Sequence, residues 1–280
     1  MSGFFAALAS ADFPFVRNAL LAGLLSSVLF GVLGALVTVR RIASLAGAVS
    51  HAVLGGIGMA LYLSASGIVP GFPPAGGAFI FAVLSAGVIG VVSLKAKQRE
   101  DTVINAIWAI GMSLGVLFMA KTPGYTDPSS YLFGNILLVA ERDIALLALL
   151  GAVTVFLAWR FYPQLEASSF DAEFARTRRA PVTGIFFAVL IITSAAIVLL
   201  QTFVGIVMVI AMLTLPAGTA GCFARNLGKM MLFGAVFSAL FSVGGLFAGW
   251  VFDAPAGAMT VILAGAVFLL ASAVRMLRAR

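Results

Sequence analysis

The imidazole of His51 is the one side chain within an apolar segment of this sequence that could bind a metal ion strongly. It is the only histidine in 280 residues, and Ser50 beside it is at best a weak additional ligand. Imidazole nitrogen is a common ligand for zinc and similar ions. A lone histidine in a helix bundle can also simply donate a hydrogen bond to a neighbouring carbonyl, so both interpretations stay open here.

The positions of the acidic residues argue against a secondary carrier, which would power its own transport. All ten fall in predicted loops or at the ends of apolar segments, whereas secondary carriers commonly hold an ionisable coupling group inside the membrane. The sequence also contains no His-Glu-x-x-His motif and no Gly-x-x-x-x-Gly-Lys-Ser/Thr phosphate loop. We therefore expect no catalytic residues, no cofactor-binding residues and no ATP hydrolysis by this chain itself.

The composition is that of a membrane protein. Hydrophobic residues make up 62% of the chain and charged residues 10%, with a mean hydropathy of +1.15. The net charge of +7 comes without a basic stripe interleaved with aromatic residues, so nucleic acid is not an expected partner. The single cysteine, Cys222, excludes an internal disulfide framework.

Apolar runs near 20 residues long predict an all-α, polytopic membrane bundle of about nine transmembrane helices, in one domain covering residues 1–280. The stretch 130–139 is too short to cross and is predicted to be interfacial or re-entrant. The predicted spans are 16–39, 44–66, 76–96, 103–120, 144–161, 181–200, 203–222, 230–251 and 256–276.

Basic residues predict the orientation of these spans. With the N-terminus outside, only Arg17, Lys121 and Arg142 face outward, and the other 14 of the 17 Lys and Arg residues lie in inner loops. This positive-inside bias predicts a cytoplasmic C-terminus in a bacterial inner (plasma) membrane. The longest inner loop, at about 162–180, is highly charged and offers a docking point for a cytoplasmic partner.

Two glycine pairs, Gly111 with Gly115 and Gly245 with Gly249, place small residues one turn apart on a helix face. Such pairs allow the backbones of membrane helices to approach closely. Packing within one subunit and dimerisation explain the pattern equally well.

Several motifs occur in an order that resembles the permease subunits of zinc/manganese/iron-type ABC transporters, over about residues 15–270. They are Ser50-His51-Ala52, Asp101-Thr102, Leu132-Phe133-Gly134, Phe170-Asp171-Ala172-Glu173-Phe174-Ala175 and Leu213-Thr214-Leu215-Pro216-Ala217. The resemblance implies a transport subunit in the lipid bilayer that is not itself an enzyme and binds no cofactor.

The resemblance also implies partners and roles. Two permease chains, expected here as a homodimer, would dock cytoplasmic ABC ATPase subunits that hydrolyse ATP, and an extracytoplasmic metal-binding protein would deliver the cargo. His51 would lie on the translocation path. The ATPase-coupling residues would be Phe170, Asp171, Glu173 and Ala175, with the two acids capping a short helix. The expected cargo is zinc first, with manganese or iron next.

One position departs from the family. Members commonly carry an Asp four residues before this histidine, on the same helix face, where this chain has Gly47. Losing the carboxylate weakens a site for manganese more than one for zinc. A permease for a metal chelate or a small organic solute is therefore an alternative, and a secondary carrier or a non-transporting scaffold is an alternative from another class.

Overall fold

The computed structural model describes residues 14–95, 100–124, 131, 132, 134 and 139–278. Every regular element in these ranges is a helix. The longer described helices, in chain order, are α1 (Pro14–Val39), α2 (Ala43–Ala65), α3 (Pro74–Lys95), α4 (Glu100–Lys121), α5 (Glu141–Arg160), α6 (Tyr162–Phe170), α7 (Ala172–Thr177), α8 (Val182–Val204), α9 (Ile206–Gly221), α10 (Leu227–Phe252) and α11 (Ala256–Arg278).

The predicted polytopic helix bundle is confirmed. Among the described residues, eight helices are long and apolar enough to cross a bilayer, and the apolar helix α9 is shorter, at 16 residues. Each predicted span matches one of these nine helices, with ends that differ by no more than four residues. Most of the predicted interfacial stretch at 130–139 lies outside the described residues.

The boundary between α8 and α9 differs from the prediction. The polar pair Gln201-Thr202 was expected to separate the two spans, but α8 continues through it to Val204. Gln201 is only 2% exposed. The helix ends instead at Gly205, whose φ of 86° is a backbone conformation that glycine adopts without steric cost. A single residue therefore separates the two helices.

Hydrogen bonds join the termini of several helices at one end of the bundle, which we call the basic end. They run from Arg40 to Ser168, from the backbone N–H of Gly228 to the Tyr162 hydroxyl, and from Arg275 to the carbonyl of Gly221. The ends of α1, α9 and α11, the start of α10 and the short helix α6 therefore lie together. This arrangement fits long helices that alternate in direction along the chain.

Glycines bring α2 into backbone contact with its neighbours. A Cβ at Gly111 would overlap the Cα of Ala52, and one at Gly58 would lie 2.5 Å from the carbonyl oxygen of Gly115. On α10, Gly245 packs in the same way against Thr260 of α11. Both glycine pairs thus serve packing within this chain, where close approach strengthens the van der Waals contact between membrane helices.

Candidate functional site

His51 lies on α2, the most deeply enclosed of the long helices. Its side chain is 8% exposed, and its Nδ1 atom is buried without a hydrogen-bond partner. Buried polar atoms are normally hydrogen-bonded. Nδ1 therefore makes no hydrogen bond to a nearby carbonyl in this structure.

Trp108 of α4 covers one face of this imidazole. The two rings stack with centroids 4.5 Å apart and planes 15° from parallel. The indole is 40% exposed, so it forms the outer wall of the site. Sequence reasoning missed Trp108, because a tryptophan in an apolar span ordinarily indicates only packing or lipid contact. The stack blocks approach to the imidazole across that face.

Gly47 lies one turn before His51 on α2 and is also buried. A Cβ built at this position would have Cζ3 of Trp108 as its nearest neighbour, at 3.9 Å, which is an ordinary van der Waals contact. The position thus has room for a small side chain beside the indole. In this chain the tryptophan ring, rather than a carboxylate, neighbours the histidine there.

Ser50 does not supplement His51. Its hydroxyl donates to the carbonyl oxygen of Ala46 at 2.9 Å, within the same helix. Across the described ranges, no group of three or more His, Cys, Asp or Glu side chains is placed to hold a metal ion. A set of three protein ligands, as zinc sites in proteins commonly have, is therefore absent from the described residues.

The charged loop at 162–180 folds into the short helices α6 and α7. Asp171 caps α7, since its Oδ1 accepts a hydrogen bond from the backbone N–H of Phe174 at 2.8 Å. Glu173 lies in the first turn, where a negative charge offsets the helix dipole. The capping prediction is therefore met at Asp171.

The segment 170–175, which contains the predicted coupling residues, has an exposed and a buried face. Phe170 is 65% exposed and Phe174 53% exposed, whereas Ala175 is buried and anchors α7 to the bundle. The guanidinium of Arg178 lies 5.5 Å from the ring centre of Phe174. The two exposed aromatic rings, Phe170 at the end of α6 and Phe174 on the capped helix α7, can contact a partner subunit. His51 lies apart from them, within a membrane-spanning helix.

Tyr162, which is partly buried, links the start of α6 to α10. Its hydroxyl donates to Glu166 at 2.9 Å and accepts from the backbone N–H of Gly228 at 3.0 Å. Partial burial raises the pKa of this phenol and the hydrogen bond to Glu166 raises it further, which together outweigh the lowering by the Gly228 N–H. The neutral hydroxyl thereby ties the loop to the first turn of α10.

The model of the ABC 3 transport family matches residues 12–275 of this chain. The chain belongs to the ABC 3 transport family. It is a multi-pass membrane protein of the metal-type ABC permeases, as the sequence motifs predicted.

Individual members of this family are similar over nearly their whole length. An uncharacterized membrane protein of Synechocystis sp. is 34% identical over 94% of this chain and 92% of its own. The manganese transport system membrane protein MntC of Listeria monocytogenes is 29% identical over 93% and 90%. The structure of PsaBC from Streptococcus pneumoniae in complex with Fab matches with a TM-score of 0.84 and 30% identity, over 96% of this chain and 94% of that one.

Proposed function

We propose that this ABC 3 family chain is the membrane permease of an ATP-driven importer for divalent transition-metal ions. The observation that carries the proposal is the family match over residues 12–275. The name of the Listeria relative, a manganese transport protein, supports a metal cargo. The unpartnered Nδ1 of His51 supplies a nitrogen ligand inside the bundle.

Zinc is the first cargo to test, and manganese or iron follows. An imidazole without a neighbouring carboxylate suits zinc, since harder ions such as manganese prefer oxygen ligands. Manganese is tested beside zinc because the Listeria relative is named for manganese transport. A single nitrogen ligand holds an ion only briefly, which a pathway requires because the ion must also leave.

The basic end is proposed to face the cytoplasm, with the N-terminus outside. Its arginines follow the charge distribution of cytoplasmic loops, and the hydrogen bonds between α1, α6, α9, α10 and α11 gather these loops at one end. The exposed Phe170 and Phe174 then point toward a cytoplasmic ATPase.

In the proposed cycle, ATP binding draws two ATPase subunits together and pushes on α7. The cap at Asp171 and the buried Ala175 let α7 transmit that push as a rigid unit. The helices along the path tilt, and the bundle alternates between outward and inward openings. A second copy of this chain completes the path, and an extracytoplasmic binding protein delivers the ion.

Uptake into proteoliposomes tests the proposal. The chain is reconstituted with its ATPase, and the binding protein is supplied on the external side together with radioactive zinc or manganese. We expect accumulation that requires ATP hydrolysis. Accumulation that persists with a hydrolysis-deficient ATPase would exclude this mechanism.

His51→Ala tests the pathway, with Ser50→Ala as the matched control. Both residues are buried on the same turn of α2, but the Ser50 hydroxyl is already bonded within its own helix. We expect His51→Ala to lower metal uptake while expression and ATPase co-purification stay normal, and Ser50→Ala to change neither. Wild-type uptake by His51→Ala would assign the histidine a structural role.

A metal chelate or small organic solute is the second candidate cargo. Gly47 favours it, because His51 then has no carboxylate one turn away on α2 to share in holding a bare ion. Competition decides between the two. Excess free zinc or manganese should abolish labelled-metal uptake if bare ions are carried, whereas uptake only of a preformed chelate would establish the second candidate.

A further inference from the structure

A cavity of about 530 Å³ opens at the basic end, between the ends of α1 and α3, the start of α8, and helices α6 and α7. We call it the basic pocket. Its polar lining includes Arg40, Arg41, Arg176, Ser168, Ser169 and Thr183. None of the described residues that line it is acidic.

Arg40 is half-buried in this pocket without a carboxylate. Its Nε donates to the hydroxyl of Ser169 at 3.1 Å, and a terminal nitrogen donates to that of Ser168 at 2.5 Å. Burial lowers the pKa of this guanidinium from its ordinary value, with no negative charge to offset the effect. A cation removed from water is stabilised chiefly by an anion beside it. The serines leave that requirement unmet.

Arg41 and Arg176 add two exposed positive charges to the same pocket. Arg41 has a φ of 57°, a left-handed backbone that is costly for a residue other than glycine. Three guanidinium groups around one cavity repel each other unless an anion lies among them. Guanidinium groups bind phosphate oxygens through paired hydrogen bonds.

Apart from Ser93, the rest of the lining is apolar, and the ends of membrane-spanning helices around the pocket are expected to place it near the lipid headgroups. Leu94, Phe170 and Phe186 face the cavity, and it lies where α1 ends at Val39, α3 ends at Lys95 and α8 begins at Val182. Three membrane-spanning helices terminate around it. A ligand here can thus place a charge toward water and a hydrocarbon chain toward the membrane.

We propose that the basic pocket binds the phosphate of an anionic membrane lipid such as phosphatidylglycerol, with its acyl chains against the apolar lining. A free phosphate ion would leave that lining unused. An acidic side chain of the ATPase, which is proposed to contact Phe170, would satisfy the arginines but leave Leu94 and Phe186 uncovered. Lipid binding needs neither metal nor ATP, so it can be measured apart from the proposed transport.

The test titrates the delipidated, full-length chain in detergent with phosphatidylglycerol and measures bound lipid by native mass spectrometry. Phosphatidylcholine and inorganic phosphate are titrated in parallel. We expect one saturable binding site, with an affinity for phosphatidylglycerol about tenfold or more higher than for phosphatidylcholine. Inorganic phosphate at millimolar concentration should not displace the bound phosphatidylglycerol.

The decisive variant is the double substitution Arg41→Gln with Arg176→Gln. Both side chains are exposed, so their removal spares the hydrogen bonds of Arg40. At roughly fivefold per basic residue beside an anionic lipid, the variant should bind phosphatidylglycerol about 25-fold more weakly. The matched control, Arg225→Gln with Arg278→Gln, removes two exposed charges outside the pocket and should change binding less than about twofold.

Four results would overturn the proposal. Equal weakening in both double variants would indicate only general surface attraction. Equal affinity for the two lipids would remove the need for an anion. Displacement of the lipid by inorganic phosphate would identify the natural ligand as a free anion. If the Arg41→Gln, Arg176→Gln variant bound lipid normally but no longer co-purified with the ATPase, the pocket would be a docking surface for the ATPase. Melting temperatures of both variants near that of the wild type exclude misfolding as the cause.

Discussion

Alanine substitution at Gly47 and at Gly58 should have opposite effects on stability. Both glycines are buried on α2. A Cβ at Gly47 would meet its nearest neighbour, the indole of Trp108, at 3.9 Å, whereas one at Gly58 would lie 2.5 Å from the carbonyl oxygen of Gly115. That oxygen belongs to the backbone of α4 and cannot rotate away. The two substitutions therefore compare a position where a methyl group fits with one where it overlaps a neighbouring backbone.

The magnitudes follow from these two distances. Either substitution gains about 0.5–1 kcal/mol from replacing glycine by alanine in a helix. Gly58→Ala also forces α4 outward by about 0.9 Å before the contact reaches the ordinary 3.4 Å. Overpacking of that kind costs about 1–3 kcal/mol. Because the helix gain is common to both variants, the difference between them isolates the overpacking cost.

Thermal unfolding in detergent measures the effect, and metal uptake measures its consequence. We expect the melting temperature of Gly47→Ala to be higher than that of Gly58→Ala by on the order of 5 °C. Uptake should fall in Gly58→Ala, since displacement of α4 moves Trp108 away from His51. Equal melting temperatures, or a lower one for Gly47→Ala, would refute the argument from close packing of α2 on α4.

Three further outcomes are expected. Gly47→Asp should raise the ratio of manganese to zinc uptake, because it places a carboxylate one turn from the imidazole; competition between the two ions measures this, and an unchanged ratio would contradict it. Asp171→Ala should remove the cap of α7, worth about 1 kcal/mol, and lower permease-stimulated ATPase activity, with Asp171→Asn expected to retain most of it. Tyr162→Phe should destabilise the chain by about 1 kcal/mol, because the N–H of Gly228 loses its acceptor; an unchanged melting temperature would argue against this tie.

Much of the fold could be predicted from the sequence because lipid imposes simple length and polarity rules on helices. Apolar runs located the eight spans and the apolar helix α9 that the described residues contain. Basic segments between these runs are brought together at one end through bonds such as that of Arg40 to Ser168. The error at Gln201 has a physical cause. Hydropathy cannot distinguish an amide that ends a span from one buried within a helix, and the positive φ of Gly205 is not visible in composition.

The candidate site was only partly predictable. His51 and the 170–175 segment could be singled out because their residue types are unusual for where they lie in the chain. Trp108 could not, since its role depends on the contact of α4 with α2, which residues distant in sequence create. The basic pocket likewise combines Arg41 with Arg176, which are far apart in the chain.

The short helix that follows Gly205 has a consequence for the interior of the bundle. The 16 residues of α9 rise about 24 Å, some 6 Å less than the hydrocarbon thickness of a typical membrane, while the 26 residues of α10 rise about 39 Å. No residue of α9 is exposed, so other helices surround it, and the irregular backbone at its ends must be buried in protein or line a water-filled cavity. A hydrated cation travelling next to α9 would cross a thinner dielectric barrier there than along the longer neighbouring helix.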